Sequence, residues 1–137
     1  MFERCLYFNT QTLARKLNAL WVDAFAPFEL APSHAYLLRL VLETPGVTQQ
    51  QLANELCLNK STVTRFVAAL ENKALVERVG SGKDQREKSV VPSPKAIAIG
   101  QDLEAKGAEL YSTMCEAIGR DKVEAFVQAT REINQKL

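Results

Sequence analysis

Chemistry at a protein site needs particular side chains within reach of one another, and most of the usual sets are missing from this sequence. There is one histidine, His34, and the three cysteines, Cys5, Cys57 and Cys115, lie far apart with no C-x-x-C pair. Structural zinc and catalytic nucleophile arrangements need closer spacings than these. No G-x-S-x-G, Gly-rich phosphate loop or carboxylate–histidine metal spacing occurs, so an enzyme is not expected and no cofactor is implied. Two polar clusters remain. The first is Ser61, Thr62, Thr64 and Arg65 in "NKSTVTRF"; the second is Lys83, Asp84, Arg86 and Lys88 in "GKDQREK". Hydroxyls beside a guanidinium can read the donors and acceptors on base edges, and a projecting arginine suits a narrow groove of strongly negative potential.

The charge distribution agrees. The whole chain carries a net +1, but residues 59–94 hold Lys60, Arg65, Lys73, Arg78, Lys83, Arg86 and Lys88 against Glu71, Glu77, Asp84 and Glu87, a local net of +3. Each flanking segment is net −1. Positive potential is therefore concentrated around the two clusters, to which Lys60, Lys83 and Lys88 add, and it suits a polyanionic partner such as double-stranded DNA. The competing readings are a solvated helix face for the first cluster and a charged hairpin tip that discourages edge pairing for the second.

The elements that must position these clusters follow from periodicity. Leu13, Leu17, Leu20, Trp21, Ala24 and Phe25 recur at helical spacing and predict a helix over Asn9 to Phe25. Ser33 is the expected N-cap of a second helix ending at Glu43. Thr48 and Gln51 form a capping box for a third, whose inward residues are Leu52, Ala53 and Leu56. After the corner "CLN", Asn59 caps a fourth helix with Val63, Phe66, Val67 and Leu70 on its inner stripe. At 100° per residue, Ser61, Arg65, Ala68 and Asn72 face away from that stripe and Thr62 and Thr64 flank it. Two short helices in this arrangement are a helix-turn-helix.

"LVERVG" and "KSVVP" predict a hairpin, its second strand ended by Pro92, which has no ladder donor. Ser93 with Pro94 starts a long helix that stops at Gly119, and Asp121 with Glu124 is a capping pattern for a last helix lined by Val123, Phe126, Val127, Thr130, Ile133 and Leu137. At 137 residues, 47% hydrophobic and 24% charged, the chain is expected to form one globular domain. No apolar run is long enough to span a membrane and "MFERCLYFN" does not read as a signal peptide, so a cytoplasmic protein with reduced thiols is expected.

This order of elements, with "LANELCLNKSTVTRFVAALENKALVER" and the D-x-R wing pattern through Asp84 and Arg86, resembles the MarR family of winged helix-turn-helix regulators over nearly the whole length. The chain departs from the family at Ala74, where "LERKGLV" commonly has glycine, and at "PSPKA" in place of "LTPKG". The resemblance implies a mainly α fold with a small β-hairpin wing, a DNA-binding winged helix-turn-helix over 30–92 and dimerisation helices over 1–29 and 93–137. It implies that the fourth helix enters the major groove, that Arg86 enters the adjacent minor groove, and that Asp84 orients Arg86.

The apolar terminal helices predict a homodimer, which would place two reading helices one DNA turn apart on a pseudo-palindromic operator, most simply as a repressor; the alternative is a monomer. Many MarR-type proteins bind small aromatic acids between the helical arms and the winged domain, a region where Trp21, Phe25, Phe28, His34 and Tyr36 lie here; core packing explains the same aromatics. Some sense peroxides through a cysteine near the first helix, the general area of Cys5. A winged helix used only for protein contact is the rival from another class.

Overall fold

The structure, a computed structural model, describes residues 1–80 and 88–137. Among the described residues, six helices and three strands follow in the order α1 (Leu6–Phe25), α2 (Pro32–Glu43), β1 (Val47–Thr48), α3 (Gln49–Leu56), α4 (Lys60–Asn72), β2 (Val76–Gly80), β3 (Lys88–Pro92), α5 (Pro94–Ile118) and α6 (Arg120–Lys136), with a 3₁₀ turn over Ala26–Phe28. Two compact units, Met1–Glu104 and Ala105–Leu137, divide within α5. The architecture is the expected one, mainly helical with a small antiparallel sheet that forms the wing.

Local chemistry sets most boundaries. Thr48 Oγ1 accepts the Gln51 N–H at 3.1 Å while Gln51 Oε1 accepts the Thr48 N–H at 2.9 Å, so both halves of the capping box are made and α3 starts there. Asn59 Oδ1 accepts the Thr62 N–H at 2.8 Å and opens α4. Between them Cys57 takes a left-handed conformation, φ 54°, and its exposed thiol occupies a corner where glycine would be unstrained. Ala74 does the same after α4, at φ 57°, a conformation that costs a residue with a Cβ about 1 kcal/mol.

Three boundaries differ from the periodicity. α1 begins at Leu6 rather than Asn9, because Cys5 Sγ accepts the Phe8 N–H at 3.4 Å and Asn9 Nδ2 donates to the Phe2 and Cys5 carbonyls. Leu6, Tyr7 and Phe8 are exposed, so no inward stripe marks that extra turn. α2 is capped at Ala31, since Pro32 takes the first helical position with its preset φ and draws Ser33 inside the helix. α6 starts at Arg120 from Gly119, whose φ of 101° suits glycine, so Asp121 lies in the first turn and makes no cap with Glu124.

The core of the first unit is where the inner stripes meet. Val63, Val67 and Leu70 from α4 are fully buried, with Leu37, Leu38 and Val41 from α2, Leu52 from α3, Val90 from β3 and Leu103 from α5. Each such side chain contributes about 1.5–3 kcal/mol by burial. The sheet order is β1-β3-β2, with Val47 opposite Val90, and Val76 opposite Pro92. Pro92 ends β3, as its missing donor requires. The two-residue β1 is too short to show alternation in sequence and is identified only through its pairing with β3.

Candidate nucleic-acid interface

Burying Val63, Val67 and Leu70 fixes the rotation of α4, and the opposite face follows. Lys60, Ser61, Thr64 and Arg65 are exposed and Thr62 is half-buried on the flank. Their hydrogen bonds set what each can offer. Ser61 Oγ donates to Asn59 Oδ1 at 2.9 Å, and Thr64 Oγ1 donates to the Lys60 carbonyl at 2.9 Å. With their protons engaged, these two hydroxyls present lone pairs outward, suited to the amino groups of adenine or cytosine. Arg65 Nη2 lies 3.4 Å from Thr62 Oγ1, a long contact that steadies the guanidinium and leaves its other donors free. Lys60 and Arg65 are the cationic donors of this face, suited to phosphate or to guanine.

The structure narrows the cationic set. Arg78 Nε sits 2.5 Å from Glu71 Oε1, a close ion pair without hydrogen-bond alignment, and Lys73 Nζ donates to the Glu29 carbonyl. These two charges are occupied in holding α4 to β2 and to the turn before α2. Lys88 is exposed at the start of β3, opposite Gly80 on β2. Lys83, Asp84 and Arg86, the expected wing tip, lie outside the described residues.

The aromatic set divides. Trp21 Nε1 donates to the Tyr36 hydroxyl at 3.0 Å, and Phe25, fully buried, has ring centroids 6.2 Å from Phe28 and 6.1 Å from Tyr36. His34 packs elsewhere, edge-on to Phe66 of α4 at 4.7 Å. Beside the first group runs a polar connection that sequence reading missed. Arg39 stacks on Tyr36 at 5.1 Å and grips Glu104 through two hydrogen bonds of 2.9 and 3.0 Å. The Arg39 guanidinium holds the Glu104 carboxyl below its usual range, and Glu104 raises Arg39 in turn. Tyr36 and Arg39 are three apart on α2, a stacking distance legible in sequence, but nothing local marks Glu104. Arg39, Leu42, Glu43, Gly100, Gln101 and Glu104 line a groove of about 460 Å³ between α2 and α5.

His34 gives a testable pH dependence. Burial lowers its pKa below the ordinary 6.5, and the Lys73 ammonium lowers it further. The folded state therefore binds the proton less readily than the unfolded chain, so stability is full above the unfolded pKa and declines as pH falls through 6.5 towards the lower folded value. Urea midpoints between about pH 7.5 and about pH 5.5 should fall in the native protein and fall less in His34→Gln. Equal slopes in the two proteins would remove His34 as the cause.

Among the described residues no cluster of three histidine, cysteine or acidic side chains could hold a metal ion, and no helix is long and apolar enough to cross a membrane. All three cysteines are free; Cys57 is exposed, and Cys5 and Cys115 are half-buried.

Residues 30–88 match the family model described as MarR family. The chain is similar to the HTH-type transcriptional regulator FarR of Neisseria gonorrhoeae, 26% identical over 87 residues that cover 64% of this chain and 60% of FarR. The matches span about three-fifths of the length of the curated relatives. Among solved structures it is similar to the S. aureus MepR–DNA complex, with a TM-score of 0.86 at 16% identity over 98% of this chain and 99% of MepR. It is also similar to the PcaV transcriptional regulator from Streptomyces coelicolor in complex with its natural ligand, with a TM-score of 0.87 at 17% identity over 98% and 95% of the two chains. At these identities the structural likeness establishes a shared fold.

Proposed function

Because the chain belongs to the MarR family through its residues 30–88, we propose that it is a sequence-specific DNA-binding transcriptional regulator that reads the major groove with α4. The observation that carries this reading is the outward face of α4, where Lys60, Ser61, Thr64 and Arg65 are exposed together on a helix whose other side is locked into the core. MepR, which shares this fold, was solved in complex with DNA, which supports DNA as the partner of this chain. Residues 30–92 form the DNA-binding winged part in this reading, with Lys83, Asp84, Arg86 and Lys88 contributing from the wing.

The segments 1–29 and 93–137 form the dimerisation region. Phe2, Leu6, Tyr7, Phe8, Leu20 and Val22 are exposed in the first, and Ile118, Phe126, Val127 and Ile133 in the second. Apolar faces of this kind gain by burial against a second copy, and a two-fold homodimer spaces two reading helices by about 34 Å along the duplex. Such a dimer seated over a promoter represses by excluding polymerase, in the cytoplasm where that DNA lies. PcaV was solved with its natural ligand, which supports a small effector for this chain, and the aromatic set Trp21, Phe25, Phe28 and Tyr36, with His34 at the margin, suits an aromatic one.

Selection of bound duplexes from a random pool tests the proposal. A pseudo-palindromic motif should emerge, and its affinity should fall steeply with salt, by a log–log slope of about −0.9 per phosphate neutralised. Absent or salt-insensitive binding by the purified protein would overturn it in favour of a protein-contact module.

A further inference from the structure

The exit of α4 is held by Ser93, just before α5, and by Lys95 in the first turn of α5. Ser93 Oγ donates to the Ala74 carbonyl at 2.6 Å and accepts the Ala96 N–H at 3.2 Å, while its own N–H donates to the Leu75 carbonyl at 2.9 Å. Lys95 Nζ donates to the Lys73 carbonyl at 2.9 Å. Three successive carbonyls, those of residues 73, 74 and 75, are thus gripped from α5, two of them by side chains. The gripped segment includes Ala74, which holds a left-handed conformation without glycine's freedom. A residue in that conformation persists where its surroundings over-determine it.

The position of this grip matters because the reading residues lie at the far end of the same helix. From Ala74 to Ser61 the helix is a lever of roughly 20 Å, so a tilt of a few degrees moves the reading side chains by about 1 Å. Recognition groups need placement to about half that distance. We infer that Ser93, assisted by Lys95, is a positioning residue for DNA reading: it touches no base, and it fixes the angle of α4 by holding the strained Ala74 turn. This inference rests on the DNA-binding reading above.

The test uses the full chain with Ser93→Ala, Ser93→Thr, Ala74→Gly and the double variant Ser93→Ala/Ala74→Gly. Affinities are measured for a selected duplex and a random one across a salt series. Ser93→Ala should lose about tenfold in affinity for the selected duplex, the size of one lost hydrogen bond, with non-specific affinity and salt slope unchanged. Ser93→Thr should restore binding, since it keeps the hydroxyl. Ala74→Gly should recover part of the loss in the double variant, because glycine needs no holding in that conformation; a Ser93 that merely caps α5 would show no such coupling.

Equal loss for both duplexes, a reduced salt slope or unchanged specific affinity would overturn the inference. A native chain that binds no duplex would overturn the DNA reading itself. In that event hydrogen exchange decides the hold on α4: faster exchange over 61–72 in Ser93→Ala supports it, and native-like protection overturns it.

Discussion

Arg65→Ala should bind the selected operator roughly 10- to 100-fold more weakly and should tolerate base changes that the native protein rejects. The expectation comes from the placement of the side chain rather than from its charge alone. Arg65 is exposed on the face opposite Val63, Val67 and Leu70, steadied by Thr62 and flanked by the lone pairs of Ser61 and Thr64. A guanidinium held there can bond a guanine edge with two parallel donors, an interaction worth about 1–3 kcal/mol of discrimination. Lys60→Ala supplies the contrast, because an ammonium at the start of α4 suits a phosphate. Its loss should weaken binding to all sequences alike and reduce the salt slope by about 1. If Arg65→Ala behaved as Lys60→Ala is expected to, Arg65 would be a phosphate contact and sequence reading would lie with the hydroxyls and the wing.

Phe25→Ala should destabilise the fold by about 3–5 kcal/mol, a large share of the 5–15 kcal/mol typical of a domain. Phe25 closes α1, is 0% exposed and sits against Phe28 and Tyr36, so truncation leaves a cavity among them. Urea unfolding with an unchanged slope and a lowered midpoint is the expected record. A cost below about 1 kcal/mol would mean that the ring fills space a ligand normally shares, and would move Phe25 from the core to the wall of a binding cleft. Trp21→Phe is the informative companion, because it keeps an aromatic ring while removing the indole N–H that bonds Tyr36 together with part of the ring surface.

What was legible in the sequence was local. The stripe Val63, Val67 and Leu70 announced which side of α4 faces inward, Thr48 and Gln51 announced the start of α3, and Pro92 announced the end of β3, each within a few residues of its effect. What was hidden depends on partners remote in sequence or on weak local signals. The Arg39–Glu104 pair joins residues 65 positions apart, and β1 exists only because Ser89 and Val90 pair with it. The early start of α1 rests on a thiol cap and exposed apolar residues, neither of which hydrophobic periodicity detects. Ser93 was legible as a helix cap, but its second bond, to the carbonyl of Ala74, appears only once β2 and β3 bring the two segments together.

The left-handed corner at Cys57 has a practical consequence. A spectroscopic label reacts first with the most accessible thiol, and here that thiol stands on a short, defined turn three residues ahead of Lys60, while Cys5 and Cys115 are partly covered. With those two replaced by serine, a spin probe on Cys57 becomes a molecular ruler. In a two-fold assembly the distance between two such probes reports the separation of the paired reading helices in solution, with and without DNA or a small aromatic acid.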